Sequence, residues 1–329
     1  MNKVRWRQHI SSKIPGLNQA INYKIFHQSI IKNYSKFSNV YMNFLSDWLI
    51  SAIKAFNDCD KFHILICIFK RNLKFYNDNS IIFDYETFNK TKQFDIQKIN
   101  IIELAKTLNL PKETTRRKLL ELQKSGAIKR NNKNILIDKN SIKLFNIEYI
   151  LDRLGDVLIK IYNISLNENL PYNKIISKKE IVDTMKKNFS FMLLHYFEFI
   201  IPWLIRWKRF FNNDTELFII WSIIFLNKSV KITEKKENSD ILTWRAEIDK
   251  ASTTGINTMS LSEITEIPRA TVSRKIKILL EKKIIFIDER KLFHPIISNH
   301  KKQLESIHNV SMDEFCKFSL IVFNLIVLN

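Results

Sequence analysis

Apolar positions recur every three or four residues through Phe44, Trp48, Leu49, Ala52, Ile53 and Phe56, the spacing of a helix that buries one face. Phe62 to Phe75 is apolar on more than one side and predicts a second, more deeply buried helix. The stretch 77–97 is polar and irregular, and its length predicts a surface excursion. The helical period then returns in a short segment with Leu104, Ala105 and Leu108 inward. A tight turn at Asn109-Leu110 leads to a helix opening at Pro111, where the missing N–H costs nothing. That helix buries Thr115, Leu119 and Leu122 and projects Lys112, Arg116 and Arg117 outward. Small Ala105 allows the two helices the close approach that a helix-turn-helix needs. Gly126 predicts a left-handed C-terminal cap. Ala127–Ile128 and Ile135–Ile137 read as a β-hairpin around Asn131-Asn132, with Lys129, Arg130 and Lys133 at its tip. Such a hairpin is the wing of a winged helix.

The same order recurs later in the chain. Lys32-Asn33-Tyr34-Ser35 returns as Lys187-Asn188-Phe189-Ser190, 155 positions on, and Trp48-Leu49-Ile50 returns as Trp203-Leu204-Ile205. At that offset Tyr41 matches Tyr196, Phe44 matches Phe199, Ile64 matches Ile219, Ile68 matches Ile223 and Asn72 matches Asn227. Further on the offset is 157: Pro111 matches Pro268, Thr114 matches Thr271, and Arg117-Lys118 matches Arg274-Lys275. Self-similarity at a fixed period marks a duplicated unit. The fold expected is mainly α with small β-hairpin wings, in two tandem winged helix-turn-helix domains from internal duplication. The divisions are a basic arm (1–20), a first unit (21–140), a connecting helix and linker (141–175), a second unit (176–296) and a C-terminal helix (297–329). The second unit has its own polar excursion, 227–257, and a wing from Ile284–Ile287 through Asp288-Glu289-Arg290-Lys291 to Leu292-Phe293. Lys283 stands where the first unit has Gly126, so a different cap geometry is expected there.

Charge narrows the function. The 329 residues carry 53 Lys and Arg against 33 Asp and Glu, a formal charge of +20, which favours phosphate-bearing partners or anionic surfaces. An AT-rich genome also produces Lys-rich chains, so charge alone decides little. The four glycines are widely separated, which excludes a phosphate-cradling loop or a dinucleotide fingerprint. Cys59, Cys67 and Cys316 form no Cys-x-x-Cys pair, which argues against zinc or a disulfide framework and fits a reducing cytoplasm. Cys67, in an apolar run, is expected to pack rather than sense redox state. The seven histidines are scattered without metal-ligand spacing, and nothing pairs a nucleophile with a base; no enzyme, metal or cofactor is expected. Leu217–Leu226 and Phe318–Leu328 are too short or interrupted to span a bilayer. The first 46 residues lack Asp and Glu, a composition shared with organellar transit peptides and with DNA-binding arms.

Leu-Pro-Lys-Glu-Thr-Thr-Arg-Arg (110–117) and Ile-Pro-Arg-Ala-Thr-Val-Ser-Arg (267–274) resemble the recognition helix of Crp-type regulators. The helical lead-in followed by a winged unit is similar to the MarR-type architecture. The Crp-type resemblance implies base-edge contacts from Lys112, Glu113 and Arg117 and a phosphate contact from Thr114. In the second unit it implies Arg269, Arg274 and Thr271, with Ala270 departing at the Glu position. Arg116, Ser273 and Lys275 on the helices, and Lys129, Arg130, Lys133, Arg290 and Lys291 on the wings, complete the expected DNA-facing set. The partner expected is double-stranded DNA, engaged by a single-chain pseudo-dimer or a homodimer acting as a transcription regulator in the cytoplasm at the nucleoid. A plasmid-type replication initiator and a winged-helix interaction scaffold are the alternatives. No residue in the sequence argues for an effector ligand.

Overall fold

Helix starts are set by short polar side chains that cap the free N–H groups of each first turn. In the computed structural model, which describes residues 22–56, 58–91, 93–96, 100–131, 134–138, 145–167, 175–235, 239–250 and 255–327, Asn22 caps α1 (Tyr23–Lys32), and α2 (Ser35–Phe56) follows. Asp58 caps α3 (Cys59–Asp78), Asp84 caps α4 (Tyr85–Lys90) and Asn100 caps α5 (Ile101–Leu108). Strand β1 (Gln93–Ile96) precedes α5; α6 (Lys112–Lys124), β2 (Ile128–Asn131), β3 (Asn134–Asp138) and the long α7 (Ile147–Asn167) complete the first half.

The second half repeats this order. Helix α8 (Lys178–Lys187) opens with a capping box between Ser177 and Glu180. Helices α9 (Phe189–Phe210), α10 (Thr215–Lys235), α11 (Ile241–Lys250), α12 (Thr258–Thr265) and α13 (Arg269–Glu281) correspond to α2 through α6. Strands β4 (Ile285–Ile287) and β5 (Phe293–Pro295) match β2 and β3, and α14 (Lys301–Val327) matches α7. The chain is thus mainly helical with two small antiparallel sheets.

Four expectations are corrected. Residues 77–97 are not an irregular excursion: they hold α4 and β1, and β1 pairs with β3 to make a three-stranded sheet in the order β1-β3-β2. Residues 227–257 likewise hold the end of α10 and all of α11. Polar composition hid both because each element buries only a few side chains, Phe88 and Phe94 in one half and Ile241, Trp244 and Ile248 in the other. The third correction is one of register. Asp58 caps α3, and Asp214 accepts from the Leu217 N–H at the start of α10, so Cys59 corresponds to Thr215 and Ile64 to Ile220. Ile219 and Ile220 are both buried, so apolar pattern alone did not separate the offsets 155 and 156. Finally, among the described residues α9 is long and apolar enough to cross a bilayer. Two-thirds of that window (67%) is buried inside the fold, where it forms a core helix.

The halves are interlocked. Helix α2 packs on α10 of the other half, and reciprocally α9 packs on α3. The Ser35 N–H donates to the Ser239 carbonyl (3.1 Å), and the Ser239 N–H donates to Ser35 Oγ (2.8 Å). Ser190 and Phe83 repeat the pair at 3.0 and 2.9 Å. Each half therefore seats a serine at the start of its long helix on the segment just before the short helix of the other half, as an isologous interface does. Helices α7 and α14 close the ends, α7 against α2 and α8, and α14 against α9 and α1. One continuous apolar core runs from Phe26 to Ile326 through both halves.

Candidate nucleic-acid interface

A pair of short helices and a hairpin stand at the same place in each half. Helix α5 ends on Asn109 in the left-handed conformation (φ 52°), and α12 ends on Glu266 in the same conformation (φ 57°). These turns aim α6 and α13, which start after Pro111 and Pro268. Each turn also touches the opposite half: Asn109 Nδ2 donates to Asn213 Oδ1 (2.9 Å), and Glu266 pairs with Lys54 (2.7 Å). Inward, α6 buries Thr115, Leu119 and Leu122, and α13 buries Val272, Ile276 and Leu279.

The outward face of α6 carries Lys112, Glu113, Arg116 and Arg117, all exposed, with Thr114 half-buried beside them. Arg116 lies 3.8 Å from Glu113, and Arg117 lies 3.8 Å from Glu121. Such long contacts between exposed side chains contribute little. Glu121 is engaged more closely by Lys61 (3.0 Å), whose hydrogen bond holds its carboxyl below the ordinary carboxylate range. On α13 Arg269 and Arg274 are exposed, and Thr271 and Ser273 are half-buried. Among the described residues no ion pair engages either arginine.

Lys275 departs from expectation. It is buried, pairing with Asp214 and with Glu216 (3.1 Å), so it braces α13 against the first turn of α10 and faces away from solvent. Its counterpart Lys118 does the same in the first half, pairing with Asp58 and Asp60. The 3.6-residue period explains this: one position past the exposed Arg117 or Arg274, the side chain swings by about 100° toward the core. A sequence signal existed, for Asp58-x-Asp60 and Asp214-x-Glu216 recur before the two lysines.

The hairpins differ in detail. Lys129 on β2 is half-exposed and pairs with Asp138 on β3 (2.9 Å). Lys133 lies outside the described residues, as does the side chain of Arg130 and the arm 1–20. In the second half Ile256 bridges to Phe293 where the first half has β1. The β4–β5 turn presents Arg290 and Lys291, both exposed, with Lys291 in the left-handed region (φ 61°). Asp288 fixes this turn by accepting from the Leu292 N–H (2.8 Å) and pairing with His294 (2.9 Å). Those bonds hold the Asp288 carboxyl below its ordinary range.

At the cap after each outward helix, Gly126 has φ +78° as expected, and Lys283 has φ +52°. The two caps share one geometry, contrary to the expectation for Lys283. The Lys283 and Lys282 carbonyls accept from Asn299 Nδ2 (3.0 Å) and His300 Nε2 (3.4 Å), bonds that hold the turn without a glycine.

Desolvation pushes the Cys59 and Cys67 thiols up to about 12, so both stay protonated at neutral pH. Comparison with known proteins finds no matching family model, no matching curated protein and no matching solved structure.

Proposed function

We propose that the protein is a sequence-specific double-stranded DNA-binding protein: a transcription regulator at the nucleoid, built by duplication of a winged helix-turn-helix unit and acting as a single-chain pseudo-dimer. The observation that carries this reading is the doubled, outward basic helix: Lys112, Arg116 and Arg117 in one half, Arg269 and Arg274 in the other. Each is followed by a hairpin with basic residues and aimed by a left-handed turn that touches the opposite half. A helix N-terminus with exposed Arg and Lys suits phosphate and guanine edges in a major groove. Two such helices in one interlocked chain suit successive grooves, about 34 Å apart along the duplex.

The reading heads are unequal. Glu113 can accept from cytosine, and Ala270 at the matching position cannot. The site read is therefore an imperfect palindrome. Arg117→Ala and Arg274→Ala are each expected to weaken specific binding by ~1–3 kcal/mol and to relax one half-site only, as read by competition binding on half-site libraries. Equal loss on every sequence would assign these side chains to phosphate. Affinity is expected to fall steeply with salt as counterions are released; a flat salt response would remove the DNA-binding reading altogether. Genome-wide mapping of bound sites separates a regulator, spread over promoters, from an initiator confined to one origin.

A further inference from the structure

Two cavities occupy matching places in the two halves. The first lies among Trp48, Phe62, Phe69, Phe88 and Tyr196 and encloses about 80 Å³. The second lies among Trp203, Phe218, Phe225, Trp244 and Tyr41 and encloses about 340 Å³. Each residue of the first set corresponds to its partner in the second by the offsets already established, so the comparison is position by position.

The walls contributed by the closing helices differ in kind. In the first half α7 supplies Ile147, Leu151 and Leu154; at the matching turns of α14 stand Lys301, Glu305 and His308. Helix α11 adds Arg245 where α4 has Asn89. One half has thus kept a nearly filled apolar space. The other has a space in the range of small-molecule sites, apolar and aromatic with a few convergent polar groups.

Those polar groups specify charge. Arg245 is 7% exposed, donates from Nη2 to Asn309 (2.9 Å), and leaves Nη1 buried without a hydrogen bond. Trp221 Nε1, in the same wall, is also buried without one. Buried donors left unpaired are costly, so an acceptor at this wall would relieve them. His308 is neutral, because burial holds it well below its ordinary range, and its Nε2 lies 2.9 Å from the Tyr34 hydroxyl. Lys301 is exposed and Glu305 half-exposed, which places them at the rim. Two cations therefore face one carboxylate around an aromatic space.

We propose that this cavity binds one planar aromatic carboxylate per chain, its ring between the tryptophans and its carboxylate accepting from Arg245. The matching cavity of the first half, lacking both volume and cation, binds none. The proposal stands apart from the DNA-binding reading, since its test measures ligand alone.

Isothermal titration of the full chain with 2-naphthoate, and with uncharged 2-naphthalenemethanol of the same shape, separates the contributions of ring and charge. The expected result is one naphthoate per chain, held about tenfold more tightly than the alcohol, as a charge-assisted bond provides. Arg245→Gln should bring naphthoate down to the affinity of the alcohol. Should that variant fold poorly, the exposed Lys301→Gln is expected to weaken naphthoate about threefold and leave the alcohol unchanged, as screening at a rim allows. Ser222→Phe, which narrows the cavity, should abolish both. Equal affinity of acid and alcohol for the unaltered chain, two acids bound per chain, or no heat from naphthoate at about 1 mM would each overturn the proposal.

Discussion

Compared residue by residue, the two halves agree in the serine pairs that join them and in the bracing of each outward helix, and differ on the faces of those helices and in their cavities. The serine pairs at Ser35–Ser239 and Ser190–Phe83 share one pattern of bonds, the buried lysines Lys118 and Lys275 share one kind of partner, and the left-handed turns fall at matching positions. The outward helices differ, with Glu113 against Ala270 and Arg116 against Ser273. So do the cavities, one of about 80 Å³ and one of about 340 Å³. An interlocking contact must change on both sides at once to survive, whereas a surface or a lining side chain changes alone.

The largest effect is expected at the buried lysines. Each is a largely buried cation, with side chains 11% and 10% exposed, set against partly exposed carboxylates. Lys275→Ala leaves Asp214 without its counter-charge and should destabilise the fold by about 3 kcal/mol. Lys118→Ala should cost less, since Lys208 still pairs with Asp60; both are measured by denaturant unfolding. Equal losses would show the two halves equally braced. Unchanged stability with weakened DNA affinity would instead return Lys275 to the DNA-facing surface.

Two histidines break the symmetry next. His63 is fully buried with neither ring nitrogen hydrogen-bonded, and burial and Lys208 hold it well below its ordinary range. His308 is lowered by burial and by Arg245. Their counterparts are Ile219, in the register set by the caps, and Leu154. Both histidines stay neutral when folded and titrate near 6.5 when unfolded, so the unfolded chain takes up protons first. Stability is therefore complete above about pH 6.5 and falls below it, by about 1.4 kcal/mol per pH unit for each histidine. Replacing one with its counterpart, His308→Leu, should halve that slope between about pH 6 and 5. An unchanged slope would assign it to the carboxylates.

Much of this was legible in the sequence for a physical reason. Amphipathic helices announce themselves through period, so α2, α5, α6 and α13 fall where the apolar stripe places them, and Gly126 announces its own turn. Elements that bury one or two side chains carry no such signal: α4 rests on Phe88 and β1 on Phe94, and both passed for loop. The exposed arginines of the outward helices were readable from the opposite face of the same stripe. The role of Lys275 was not, because adjacent residues on a helix point about 100° apart, and only the three-dimensional position of Asp214 and Glu216 decides which of two neighbours is drawn inward. The open cavity was illegible for another reason: its polar groups lie on α11 and α14, over fifty residues apart in sequence, and gain meaning only beside their apolar counterparts on α4 and α7.

The smallest effect tests the finest agreement between the halves. Gly126 and Lys283 both hold a positive φ, a region that costs an L-residue about 1 kcal/mol and glycine almost nothing. A Cβ on Gly126 would meet nothing within 4 Å, so Gly126→Ala should cost about 1 kcal/mol through backbone conformation alone. Lys283→Gly should gain up to about the same amount, less what the more flexible unfolded chain takes back. The bonds from Asn299 and His300 to the Lys283 and Lys282 carbonyls exist in the second half and offset its missing glycine. The sharper measurement is therefore the double change: Asn299→Ala should be costly with lysine at 283 and nearly harmless with glycine there. Additive effects would mean that the turn holds its shape without help from the side chains that reach it.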